Sequence, residues 1–178
     1  FFLLAYTGMR KGELLALAWQ DIDFKHNSIY IHQTLFFQSG EATMQKVKTY
    51  EARTIRIDDN TARMLQKWRV QQREWLLSYG YTKQPQKVLT REDGRPLRLA
   101  YPNEKLENFI KKHNLHRITV HGLRHTHASL LFEAGATVKE VQARLGHRDI
   151  KTTMDIYTHV TDTVKDKTAD TFARFMEL

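Results

Sequence analysis

Residues 119–160, TVHGLRHTHASLLFEAGATVKEVQARLGHRDIKTTMDIYTHV, constrain this chain more than any other stretch. Glycines and capping signals divide them into three short helices. The first, 122–134, is closed by Gly135. The second, 138–145, opens on the capping-box pattern Thr137-x-x-Glu140 and is closed by Gly146. The third carries 152–157. Polar residues that rarely cluster by accident fall at the ends or on one face of these helices: His121-x-x-Arg124, Leu145-Gly146-His147 and Tyr157. A further piece, Thr7-Gly8-Met9-Arg10-Lys11-Gly12-Glu13, lies far upstream. Two arginines, two histidines and a tyrosine are a set that can act on a phosphodiester without a metal.

Composition narrows the partners of such a set. A chain of 178 residues, 41% apolar, suits one compact domain with a sizeable core. With no cysteine, disulfides, thiolate zinc sites and cysteine nucleophiles are excluded. No apolar run approaches the length of a membrane span. The opening FFLLAY lacks a basic flank and leads straight into Thr7-Gly8, so it reads as the end of a buried helix and not as a signal peptide. The chain does not open on Met, which reads as a fragment with something cut away upstream. Its formal net charge of +8 favours a polyanion, nucleic acid being the commonest, although a merely basic domain has the same balance.

Taken in order, the pattern predicts a series of helices and a small antiparallel sheet. A helix over 11–19 follows Gly8, with Leu14, Leu15, Leu17 and Ala18 on its apolar face. Residues 28–37, 42–47 and 53–57 read as strands. Asp58-Asp59-Asn60 caps a long helix to about residue 79, with Ala62, Leu65, Trp68, Gln72, Trp75, Leu76 and Tyr79 inward. A short strand at 88–90 and a tight turn at Asp93-Gly94 come next. Pro102 suits the first turn of another helix, whose Leu106, Phe109 and Ile110 face inward. Its tail, Lys111-Lys112-His113 to His116-Arg117, is a basic cluster, either a plain solvated face or, the preferred reading beside the motif region, a phosphate track. The last helix, 161–178, carries Val164, Phe172, Phe175 and Met176. That stripe needs a docking groove, on its own domain or on a neighbour. No repeat or Pro-rich linker marks a domain boundary.

Attack on a phosphodiester builds negative charge on its non-bridging oxygens. Guanidinium groups meet that charge well, being permanently cationic and able to donate bidentately. Arg10 and Arg124 fit that role, and Tyr157 is a nucleophile that must lose its proton as it attacks. His121 and His147 suit donation to phosphate oxygens or proton shuttling. Lys48, between the last two strands, suits protonation of the leaving oxygen. Each residue has a plainer alternative: Arg10 and Glu13 as a surface ion pair, Tyr157 as a half-buried aromatic. His121, His125 and His127 raise zinc as a minor possibility, but no Glu follows His121 as in His-Glu-x-x-His.

In these boxes and their order the chain resembles the tyrosine recombinases, or phage-type integrases. TGMRKGEL resembles the first box, implying Arg10 as first arginine with Glu13 as supporting acid. KTYEARTI resembles the hairpin segment and implies Lys48 as catalytic lysine; HGLRHTHASLL implies His121 and Arg124. LGHRDIKTTMDIYTHV implies His147 and the nucleophile Tyr157. The wording is most similar to integrases of prophages and conjugative elements of Gram-positive bacteria. The resemblance implies that 1–178 is a C-terminal catalytic domain lacking its N-terminal DNA-binding domains. It also implies an α+β fold, mainly helical with a small antiparallel sheet, and site-specific recombination through a 3′-phosphotyrosyl intermediate, without metal or nucleotide cofactor. The implied partners are double-stranded DNA half-sites and, on DNA, further copies of the chain, four in the complete complex. The setting would be the bacterial cytoplasm, at the nucleoid. A topoisomerase-like relaxing enzyme and a non-catalytic DNA-binding module are the alternatives.

Overall fold

A computed structural model describes residues 1–38, 41–47, 52–161 and 176. Helix α1 (Phe2–Thr7) ends at Gly8, whose φ of 65° is the left-handed cap conformation open to glycine at little cost. Helix α2 (Lys11–Ala16) starts at Arg10, whose backbone N–H donates to Glu13 Oε2 at 2.7 Å. The helix expected to reach residue 19 stops at Ala16. The backbone beyond it is diverted into pairing with 86–88: Val88 N–H donates to the Leu17 carbonyl at 3.0 Å and Trp19 N–H to that of Gln86 at 2.9 Å. In place of the expected strand at 88–90 there are two isolated bridges, Ala18 with Lys87 and Thr90 with Pro96.

The expected strand over 28–37 is two strands broken at His32. Strand β1 (Ile22–Asp23) pairs with β2 (Ser28–Ile31), and β2 pairs with β5 (Arg53–Arg56), giving an antiparallel sheet in the order β1-β2-β5. Strand β3 (Gln33–Gln38) leaves that sheet and forms a separate hairpin with β4 (Glu41–Lys46). His32 marks the change of partner, its Nε2 lying 3.0 Å from Asp21 Oδ1.

Helix α3 (Asp59–Ser78) is capped by Asp58, which accepts from Thr61 N–H at 2.9 Å. Its buried face is Thr61, Ala62, Leu65, Gln72 and Leu76. Trp75 and Tyr79, expected inward, are 36% and 63% exposed and lie edge to face on each other instead. In α4 (Tyr101–His113) Leu106 is buried, whereas Phe109, also expected inward, turns out against His113. Helices α5 (Val120–Glu133), α6 (Val138–Leu145) and α7 (Ile150–Thr161) follow. Thr119 caps α5 by accepting from Gly122 N–H, and α6 has the expected Thr137–Glu140 capping box. Beyond Thr161 the expected helix over 161–178 lies outside the described residues, except at 176.

Among the described residues, apolar side chains form two clusters. The larger joins α1, α2, the sheet, α3, Leu106 and Val120, with Met9, Leu65, Ile29 and Val88 at its centre. The smaller holds Ala128, Phe132, Val141, Leu145 and Ile156, with Tyr157 packed against it. Arginine side chains stitch α6 of the second cluster to elements of the first. That seam is where the candidate residues gather.

Candidate active site

Arg10 sits at the entrance to α2 and is partly exposed. Its Nη1 donates to Glu13 Oε1 at 3.0 Å and its Nη2 to the Gly146 carbonyl at 3.0 Å. Glu13 is 2% exposed, so the pair is not the surface ion pair that spacing alone allows. Arg53 at the head of β5 grips the same carboxylate with two prongs, Nη1 to Oε1 at 3.0 Å and Nη2 to Oε2 at 2.9 Å. Its Nε donates to the Arg144 carbonyl at 2.7 Å. Burial works to raise the Glu13 pKa, but the bonds and charge of Arg53, then those of Arg10, outweigh it and hold the group below its ordinary value.

Arg124, on the first turns of α5, is 3% exposed. It donates to the Gly8 carbonyl and to the Leu145 carbonyl, both at 2.7 Å. Gly8 ends α1 and Leu145 ends α6, so both acceptors belong to helix C-termini, where carbonyl dipoles favour a cation. One buried guanidinium thus ties the two clusters together. Arg144 repeats the pattern, donating to the carbonyls of Arg56 at 2.9 Å and Tyr6 at 3.2 Å, and through Nε to His127 Nε2 at 3.0 Å. A carbonyl only accepts, so His127 Nδ1, 2.8 Å from the Ala5 oxygen, carries the proton, and Nε2 is left to accept from Arg144. Burial, followed by the Arg144 charge, lowers the pKa of His127 and keeps the ring neutral. Both ring nitrogens are therefore engaged, one by the Ala5 carbonyl and one by Arg144. Among the described residues no group of three or more His, Asp or Glu could hold a metal ion.

Gly146 adopts φ 69° as the cap of α6, and a Cβ there would meet Arg53 Nη1 at 2.7 Å. The next residue, His147, is fastened by its Nδ1 to the buried Thr153 Oγ1 of α7 at 2.9 Å. Its pKa is lowered to about 4, by burial first and then by the charges of Arg124, Arg10, His125 and Arg53. His121, on the first turn of α5, stands edge to face with His125 at 4.7 Å. Burial, then His125, Arg124 and Arg10, lower its pKa as well. Arg10, Arg124, His121 and His147 therefore share one electrostatic neighbourhood. Tyr157 lies one turn beyond Thr153 on α7, half-buried, its ring edge to face with Phe132 of α5 at 5.1 Å. Lys48 lies outside the described residues. A groove of about 820 Å³ opens beside the cluster, and its lining includes Arg10, His121 and Arg124 together with Lys11, Lys111 and Arg117.

The phage integrase family profile matches residues 1–163. The chain belongs to the phage integrase family. It is 36% identical over 169 residues to the integrase of Staphylococcus phage L54a, covering 89% of this chain and 46% of that protein. To the ICEBs1 integrase of Bacillus subtilis (strain 168) it is 30% identical over 172 residues, covering 96% of this chain and 47% of that protein. The chain thus spans about half the length of these curated relatives. Its fold is similar to that of the Tn1549 transposon integrase in complex with circular intermediate DNA: TM-score 0.77, 22% identity, 97% of this chain and 57% of that one.

Within this integrase-family fold, sequence reasoning passed over Arg53, Arg144 and Thr153 as parts of the site and raised His127 only as a possible zinc ligand. Arg144 adjoins the Leu145-Gly146-His147 motif, and Thr153 precedes Tyr157 by one helical turn, so position offered a signal for both. Nothing local marks Arg53 as the partner of Glu13.

Proposed function

We propose that this chain is the catalytic domain of a site-specific recombinase that cuts and rejoins duplex DNA of a mobile element through a covalent phosphotyrosyl link. The observation that carries the reading is the convergence of Arg10, Arg124, His121 and His147 on one seam, inside a family-wide match. In this reading the Tyr157 oxygen attacks phosphorus and loses its proton, while the bond to the 5′-oxygen breaks. A 3′-phosphotyrosyl bond and a 5′-hydroxyl result. Arg10 and Arg124 bind the non-bridging oxygens, held in aim by Glu13 and by the helix-end carbonyls. His147 and His121 donate to the same oxygens, and Lys48 protonates the departing 5′-oxygen. Bond energy stays in the phosphotyrosyl link, so attack by another 5′-hydroxyl reseals the strand without ATP.

The groove beside the cluster suits the DNA backbone, with Lys11, Lys111 and Arg117 as phosphate contacts. A second copy would bind the paired half-site, and four would act on two sites. Residues 161–178 would provide the contact between copies. The setting is the cytoplasm, on the chromosome; no helix among the described residues is long and apolar enough to cross a membrane. The test is strand exchange between two differently marked duplexes drawn from the DNA flanking the protein's own coding region. Exchanged products without ATP are expected. Relaxation of supercoils with no exchange would favour a topoisomerase, and neither product would leave a DNA-binding module.

A further inference from the structure

Three charged side chains, Arg10, Glu13 and Arg53, form a compact trio at the mouth of the site. Glu13 lies at its centre and is almost wholly buried. Arg53 is also nearly buried, with 8% of its side chain exposed, whereas Arg10 keeps 34% exposed. Arg53 engages both carboxylate oxygens; the Arg10 side chain is 3.0 Å from one of them, Oε1, and reaches the Gly146 carbonyl with its other terminal nitrogen. The bidentate contact is the stronger geometry for neutralising a buried carboxylate. Gly146 leaves room for it, since any Cβ would press on the Arg53 guanidinium.

We propose that Arg53 is a positioning residue for Arg10: it neutralises the buried Glu13 carboxylate, so that the trio presents a net positive charge to the phosphate through Arg10. This rests on the function proposed above. With Arg53 in place the trio sums to one positive charge. Without it, Glu13 and Arg10 cancel, and the developing charge on the phosphate meets a neutral pair. Removing Glu13 as well restores the single positive charge. A role confined to packing predicts no such restoration, because each deletion then adds to the damage.

The experiment measures the rate of covalent adduct formation at saturating DNA, on a nicked duplex that the wild-type protein cleaves. The variants are Arg53→Met, Glu13→Gln, their combination, Arg53→Lys and Arg53→Gln, each checked for a cooperative thermal transition. Arg53→Met is expected to slow the reaction on the order of ten- to a hundredfold with little change in half-saturating DNA. The double variant is expected to be several-fold faster than Arg53→Met alone. A double variant no faster than Arg53→Met, or Arg53→Met at the wild-type rate, overturns the proposal. If Arg53→Met does not fold, Arg53→Lys and Arg53→Gln decide: lysine keeps the neutralising charge without the two-pronged contact, so it should cleave faster than glutamine, and a rate no faster in folded proteins counts against the proposal. Absence of adduct from the wild-type protein would sink the recombinase reading itself, a different result from either.

Discussion

Acidification should destabilise this protein through His147 in a window set by its surroundings. The ring has Thr153 at Nδ1, and its pKa is pushed down from 6.5 to about 4 by burial and by Arg124, Arg10, His125 and Arg53. A folded-state pKa below the unfolded value means that the unfolded chain takes up the proton first. The stability contribution is therefore intact above about pH 6.5 and is lost as pH falls from there toward about 4. The full gap corresponds to about 3 kcal/mol, and water reaching a half-buried ring reduces it to roughly 1.5 kcal/mol. His147→Gln removes the titration and leaves His121 and His127, which are lowered in the same direction, common to both proteins. Urea unfolding of both proteins from neutral pH to about pH 4.5 is the assay. Wild type should lose about 1 kcal/mol or more relative to the variant over that range. Equal losses, or a relative gain by wild type in acid, would refute the placement of a neutral His147 among the arginines.

Arg10→Lys and Arg124→Lys should each slow cleavage on the order of a hundredfold, because an ammonium cannot reproduce a planar fork. Arg124→Lys should also unfold at lower urea, by about 2 kcal/mol, as its two carbonyl bonds across the seam are lost. Cleavage kinetics and denaturation curves on the same preparations separate the two effects. Cleavage should persist in excess EDTA if the guanidinium groups meet the phosphate charge; a loss that added zinc or magnesium restores would revive the histidine-cluster reading. Lys111→Gln and Arg117→Gln should each reduce the salt dependence of DNA binding by about one phosphate contact, read as the slope of log affinity against log salt. An unchanged slope would move the DNA off that groove.

What the sequence made legible was local. Gly8 and Gly146 announce helix ends, and Thr137 with Glu140 announces a helix start, because a cap is written within a few residues. His121, Arg124, His147 and Tyr157 could be assigned to neighbouring short helices for the same reason. The Arg53 grip on Glu13 was not legible, since it depends on how β5 packs against α2 and α6. The break at His32 was hidden too: Ile, Tyr, Thr and Phe favour a strand on both sides of it, and only partner choice separates β2 from β3. Apolar spacing on α3 points Trp75 and Tyr79 inward, but the buried face is confined to Thr61, Ala62, Leu65, Gln72 and Leu76, and both rings fall outside it. The carbonyl acceptors of Arg10, Arg53, Arg124 and Arg144 carry no side-chain signature at all.

Mapping the covalent bond between protein and DNA tests the proposed chemistry most directly. The protein is incubated with nicked suicide duplexes tiled across the DNA flanking its own coding region, the adduct is digested, and the nucleotide-bearing peptide is sequenced by mass spectrometry. The expected result is a 3′-phosphotyrosyl bond at Tyr157, with Tyr157→Phe binding the same duplex at unchanged affinity and forming no adduct. An adduct of normal yield from Tyr157→Phe, or one mapped to Tyr101 or Tyr79, would contradict it.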